Sequence, residues 1–268
     1  ASDQFRPKAI SWVMVGGIFA GILGPQLVIA TKELWQPYLF AGTYLAQAAV
    51  AIVSAAVLML VNIPKPPPRT AANAGRPLSE LARQPRFIAA VACGVASYSM
   101  MNMVMTSAPL AMVECNHSVA DATLGIQWHV LGMFVPSLVT GSLILRFGVE
   151  RMISIGLALI VLSAIISIAG ISLWHFWIGL CLLGVGWNFA FVGATTMVTQ
   201  CHRPEERNKV QAFNDFLVFG SMAIGSFSSG AVLASFGWVA VNNIVFPVIL
   251  TAAVLLIWQA LRPRPQVT

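Results

Sequence analysis

Along the chain, apolar residues gather in eight long runs separated by short polar stretches. The runs cover residues 9–31, 37–63, 87–112, 123–145, 152–170, 174–199, 211–236 and 238–261. Each is close to or above the roughly 20 residues that a helix needs to cross the hydrocarbon of a bilayer. A transmembrane β-barrel would show short alternating segments instead, and the sequence shows none. The pattern predicts an all-α fold, a polytopic membrane helix bundle with eight transmembrane helices. Pro25, Pro109, Pro136, Pro247, Gly184 and Gly186 fall inside the runs. A bundle tolerates them where neighbours satisfy the freed backbone groups.

Composition agrees. Hydrophobic residues make up 58% of the 268 and charged residues 9%, against about 25% charged in a soluble domain. The net charge of +6 would indicate nucleic acid only if the basic residues were spread over one surface. They alternate from loop to loop instead. The tails and every second loop hold 14 Lys and Arg residues, and the opposite loops hold only Lys32. Basic loops stay in the cytoplasm, so both termini are expected there, with an even number of helices and no nucleic-acid partner. The four cysteines have neither metal-ligand nor disulfide spacing and read as small apolar fillers.

One stretch is a real linker: "NIPKPPPRTAANAGRPLSELARQPR", residues 62–86, Pro-rich, basic and too long for a tight helix connection. Its "LSELARQ" has the pattern of a short amphipathic helix. The entries to the first and seventh runs also correspond. Arg6 and Arg207, Lys8 and Lys209, and Gly24 and Gly225 match at an offset of 201, while Pro25 falls on Ser226. Internal repeats are characteristic of secondary transporters. On that reading residues 1–63 are the last two helices of one half, 64–86 a cytoplasmic linker, and 87–268 a complete six-helix half. About 115 residues, enough for four helices, are then expected in front; a natural eight-helix protein is the rival.

Three local features carry a family resemblance. "GGIFAGILGP" at 16–25 is similar to the Gly-Pro motif on the fifth helix of the major facilitator superfamily. That motif is associated with antiporters, although Gln26 and Leu27 depart from its small residues. "GSLILRFGVERM" at 141–152 is similar to the loop motif between the second and third helices of each half, with Leu145 in place of the usual Asp. "PEERNKVQA" at 204–212 resembles the basic-acidic loop before the penultimate helix. The resemblance implies a twelve-helix fold in two halves, of which this chain matches helices five to twelve. It also implies secondary active transport of a small molecule, with the lipid bilayer, a coupling proton and the missing N-terminal helices as partners, in a bacterial inner membrane. Proton-coupled efflux by antiport is one form this could take. An integral-membrane enzyme or a non-transporting sensor is the alternative. No phosphate-binding Gly-Lys loop, His-Cys metal spacing or Ser-His-Asp arrangement appears, so neither an enzyme nor a cofactor is expected.

Polar side chains at membrane depth need a partner, a wet cavity or a role. Tyr98 and Asn102 share a helical face, with Met101 and Met105 as an adaptable apolar wall. Trp187 and Asn188 sit mid-run beside Gly184 and Gly186, with Phe191 one turn on. These four, Tyr98, Asn102, Trp187 and Asn188, are expected to converge on one substrate cavity. It would lack fixed charge and suit a neutral or weakly polar organic molecule. Interhelical packing is the other reading of both amides, and lipid contact that of Trp187. His129 and Asp215 are candidates for proton coupling or gating. Their bland alternatives are a neutral interface histidine and an acid complementing a helix N-terminus.

Overall fold

A computed structural model describes residues 6–61 and 75–262, with side chains from residue 15 onward. The N-terminal tail, residues 62–74 of the linker and the C-terminal tail from 263 lie outside the described residues, as do the side chains of Arg6 and Lys8. The described chain is helical throughout: α1 (Arg6–Thr31), α2 (Ala41–Met59), α3 (Leu78–Leu81), α4 (Pro85–Glu114), α5 (Val119–Phe134), α6 (Ser137–Phe147), α7 (Val149–Ala169), α8 (Leu173–Thr199), α9 (Arg207–Asn243) and α10 (Val245–Ala260). A 3-10 turn at Pro204–Glu206 precedes α9. The fold is a polytopic helical bundle. Among the described residues five helices are long and apolar enough to span a membrane, or six when α5 and α6 count as one bent span.

Local sequence sets the boundaries. Pro85 occupies the first turn of α4, where its missing N–H costs nothing. Ser118 and Asp121 cap α5 reciprocally, Ser118 Oγ accepting from the Asp121 N–H at 3.0 Å and Asp121 Oδ2 from the Ser118 N–H at 3.2 Å. The run 123–145 is not one helix: it bends by 41° between α5 and α6, where Pro136 has no N–H to continue the ladder. The second run also starts later than its apolar pattern, at Ala41 rather than Pro37, after a turn. The segment Pro204–Ala260 holds 57 residues. As one straight helix it would be about 85 Å long, far beyond a bilayer. Gly237 divides it with φ 78° and ψ 177°, a conformation open to a residue without Cβ. A second interruption at Ile244 precedes Pro247, which cannot donate back to residue 243.

Helix α4 is the axis of the packed core, with α5, α8, α9 and α10 around it. Two seams bring backbones together through glycine. A Cβ on Gly156 of α7 would fall 2.7 Å from the Gly186 carbonyl oxygen of α8, and one on Gly186 would fall 2.9 Å from the Gly156 carbonyl oxygen. On the other side of α8, a Cβ on Gly132 of α5 would lie 2.5 Å from the Cys181 carbonyl oxygen, and one on Gly184 would run into the His129 carbonyl. Small residues permit this approach in membrane bundles. The α1–α5 contact is built differently. Gly17 receives the Phe134 ring, whose Cδ1 is 2.8 Å from its ideal Cβ position, and Gly21 receives Val130 Cγ1 at 2.7 Å. Gln26 Nε2 donates to Gln127 Oε1 at 2.8 Å to complete that antiparallel ladder. Thr31 and Thr43 hydroxyls, 3.0 Å apart, tie α1 to α2. Helix α2 turns most of its apolar surface outward.

Candidate functional site

Tyr98 lies about 20 Å along α4 from its start and Trp187 about 20 Å along α8, so both stand near mid-helix. Their rings meet edge to face, centroids 5.3 Å apart. Phe191, one turn beyond Trp187, stacks on it at 5.2 Å with 12° between planes and presents its ring to Tyr98 at 4.9 Å. Phe219 of α9 closes the group, edge-on to Tyr98 at 5.7 Å. Edge-to-face and offset contacts of this kind each contribute about 0.5–1.5 kcal/mol beyond area burial. The result is a four-ring cluster joining three helices, with Phe219 still half exposed.

Three polar atoms in this part of α4 and α8 are buried without a hydrogen-bond partner: Trp187 Nε1, Asn102 Nδ2 and Ser99 Oγ. A buried orphan donor costs about 1–3 kcal/mol. Trp187 Nε1 belongs to the aromatic cluster and Asn102 lies one turn from Tyr98 on the same face of α4, so these two are donors poised for acceptors that the described residues do not supply; Ser99 faces Gly225 of α9 instead. Met101 is buried in the core and Met105 packs against it.

Asn188 does something else. Its Nδ2 donates to the Met133 carbonyl at 2.7 Å and to the Ser137 hydroxyl, and its Oδ1 accepts from Thr140 Oγ1 at 2.6 Å. All three partners flank the α5–α6 bend. The amide gives the Met133 carbonyl a donor where the ladder is broken, and both of its N–H groups are engaged. Consecutive residues on a helix face different ways: Trp187 joins the aromatic rings, while Asn188, expected beside it at the substrate cavity, faces the bend.

His129 is fully buried in the α5–α8 seam. Its Nδ1–H donates to the Leu180 carbonyl at 2.8 Å, and Nε2 has no partner. Leu180 lies two turns of α8, about 10 Å, before Trp187, so His129 is held away from the aromatic rings. Asp215 is partly buried in α9 and accepts from Gln211 Nε2 at 3.2 Å and Asn214 Nδ2 at 3.3 Å. It lies one turn before Phe219 and on the same face. Lys209, close to it in sequence, donates instead to the Arg76 carbonyl.

Sequence reasoning missed a clamp at the basic end of the bundle. Glu206, with no exposed side-chain surface, accepts from Arg76 Nε at 2.9 Å, Arg76 Nη2 at 2.8 Å, the Arg76 N–H at 2.8 Å and the Arg203 N–H at 2.9 Å. Hydrogen bonds from the Arg76 side chain hold the Glu206 carboxyl well below the ordinary range, and the same bonds raise Arg76. Gly75, at φ 61°, makes room: a Cβ there would stand 2.5 Å from Glu206 Cγ. The available signal was a pair of glutamates, Glu205 and Glu206, inside an otherwise basic loop. Nearby, Arg86 joins Glu150 at 2.7 Å and Gln200 at 2.6 Å.

Residues 90–268 match the family model described as Major Facilitator Superfamily. The chain is 50% identical over 268 residues to a protein of Brucella anthropi named riboflavin transporter RfnT, covering 99% of this chain and 67% of that protein. It is 30% identical to two Bacillus subtilis proteins named as uncharacterised MFS-type transporters, YdeG over 261 residues and YddS over 252. These matches cover 91% and 87% of this chain, and 60% and 58% of those two relatives. The family match and the transporter relative place the chain outside the enzymes, and the alternative of an integral-membrane enzyme falls with them. By the extent of the family match and by its helical architecture, the chain belongs to the Major Facilitator Superfamily.

Proposed function

We propose that the protein is a secondary transporter for a flat, uncharged aromatic solute of the riboflavin kind, bound against the ring cluster of Tyr98, Trp187, Phe191 and Phe219. The observation that carries this reading is the mid-helix aromatic cluster with the unpartnered Trp187 Nε1 in it and Asn102 Nδ2 one turn away. A tricyclic heteroaromatic offers a π face to the rings and carbonyl acceptors to Trp187 Nε1 and Asn102 Nδ2. No Lys or Arg belongs to the cluster, so a phosphate or dicarboxylate would lack a counter-charge. The similarity to the riboflavin transporter supports the same class of solute.

The reading includes eight spans, taking Val15–Thr31 as the membrane part of α1 and dividing the last segment at Gly237. It places residues 64–86 and the basic loops in the cytoplasm, and the six helices from 87 onward in one half that rocks against α1 and α2. If transport is proton-coupled, Asp215 is the better-placed group, one turn from Phe219, while His129 is shut in a helix seam.

The test is binding by quenching of riboflavin's own fluorescence, in detergent, with the protein expressed from its complete coding sequence. Tyr98→Ala and Trp187→Ala should each weaken binding at least tenfold, and Trp174→Phe, whose side chain is exposed, should not. Size-exclusion profiles matching the parent confirm folding. Parent-like binding by both cluster variants would overturn the assignment.

A further inference from the structure

The basic end of the bundle carries an open cavity of about 1480 Å³. Arg146, Arg151, Arg203 and Arg262 line it, from the last turn of α6, the first turn of α7, the α8–α9 loop and the segment just after α10. All four are exposed, and no described carboxylate lies within ion-pair distance of any of them. Arg76 and Arg86, in the same lining, are neutralised by Glu206 and Glu150. Four guanidinium groups from four parts of the chain thus surround one space without a salt-bridge partner among the described residues.

One further observation has the same sign. Gln84 Nε2, on a lining residue, is buried without a partner, and an amide nitrogen can only donate. Helices α4 and α7 begin at the cavity while α6, α8 and α10 end there, so the arginines and not the helix dipoles set its charge. Guanidinium forks and an amide donor together recognise the tetrahedral oxygens of a phosphate.

The surroundings indicate where the phosphate comes from. Leu145 and Leu261, next to Arg146 and Arg262 in the chain, are more than four-fifths exposed. Arg262 lies over the Trp258 ring at 4.2 Å, an aromatic–cation pairing suited to a membrane–water boundary. Apolar side chains flanking a basic cavity at a helix-bundle end are what a lipid with a charged head requires. We propose that this cavity binds the phosphate headgroup of an anionic phospholipid, with the acyl chains lying over Leu145 and Leu261. The site is separate from the aromatic cluster, and its occupancy does not depend on which solute is carried.

The test uses the parent transporter in detergent, titrated with dioleoyl phosphatidylglycerol, dioleoyl phosphatidylcholine or inorganic phosphate, with binding read by native mass spectrometry and by the shift in melting temperature. Phosphatidylglycerol should bind at least tenfold more tightly than phosphatidylcholine and raise the melting temperature, and 10 mM inorganic phosphate should not displace it. Arg151→Gln with Arg262→Gln should remove the preference, and Arg83→Gln, exposed outside the cavity, should retain it. A conservative Arg151→Lys, Arg262→Lys pair keeps the loop charge that sets topology and should bind with intermediate affinity, which guards against a folding defect in the glutamine pair. Equal binding of the two lipids, or an unchanged preference in the glutamine pair, overturns the proposal. Displacement of the lipid by inorganic phosphate overturns it too, in favour of a free-phosphate site.

Discussion

Glu206→Gln isolates the clamp between the turn before α9 and the segment leading into α4. In the parent, two carboxylate oxygens receive four donors. Gln Oε1 can still accept from the Arg76 N–H and Nε, but Gln Nε2 then faces Arg76 Nη2 and the Arg203 N–H, a donor against two donors. A buried donor deprived of its acceptor costs about 1–3 kcal/mol. The Arg76 side chain is 30% exposed, so water recovers part of the loss at Nη2. The sum is about 2–3 kcal/mol, which corresponds to local opening roughly 30- to 150-fold more frequent. Hydrogen exchange read by mass spectrometry on peptides covering residues 75–83 and 203–209 measures it. Arg76→Gln and the double variant complete a cycle, with an expected coupling of about 2 kcal/mol. The pH dependence has a definite sign. A depressed carboxyl contributes stability that is fully present above its unfolded value, near 4.3, and is lost as pH falls toward its folded value. Protection corrected for intrinsic exchange should be flat from pH 8 to 5 and fall below about 4 in the parent, with no such fall in Glu206→Gln. Exchange within threefold of the parent at pH 7, or a coupling under about 0.5 kcal/mol, would refute the reasoning.

Asn188→Ala should lower the melting temperature by several degrees, for a loss of about 1–3 kcal/mol of bonding at the α5–α6 bend, while riboflavin affinity changes less than twofold. Tenfold weaker binding at an unchanged melting temperature would return Asn188 to the solute site. Gly184→Ala would put a methyl group against the His129 carbonyl and 2.9 Å from the Met133 nitrogen. Backbone atoms cannot give way as a side chain can, so about 1–3 kcal/mol or more is expected, seen as a smaller monodisperse fraction. Gly24→Ala, with open space around it, is the matched control, and equal behaviour of the two variants would disprove the backbone contact.

Hydrophobic run lengths were enough to read an all-helical membrane bundle, because bilayer thickness fixes how much apolar chain a span needs. They also located the division at Gly237, which separates two apolar runs by a residue able to leave the helical conformation. They missed the bend inside 123–145, since Pro136 leaves hydropathy unbroken and its cost is met by Asn188, 52 positions away in the chain. Helical spacing put Tyr98 beside Asn102, and Trp187 beside Phe191, because those pairs lie three or four residues apart on one helix. Phe219 could not be found in this way: its contact with Tyr98 spans two helices, and nothing in "DFLVFG" separates it from its neighbour Phe216. The Arg76–Glu206 clamp likewise joins distant segments. Its only local trace is one of two adjacent glutamates, and spacing cannot say which one is buried.

The two kinds of glycine contact around α5 divide its mechanical behaviour. Against α8, backbone touches backbone, and a relative shift of even an ångström drives carbonyls into main-chain atoms; that seam is stiff and moves as one piece. Against α1, glycine grooves hold only the tips of Val130 and Phe134, side chains that can change rotamer, and one amide-to-amide bond between Gln26 and Gln127. Rotamers rearrange in picoseconds to nanoseconds, so α1 can roll over α5 against little resistance. Compliance is thus concentrated on one side of a single helix, and any displacement of α1 relative to α4–α10 is absorbed there before it can strain the aromatic cluster.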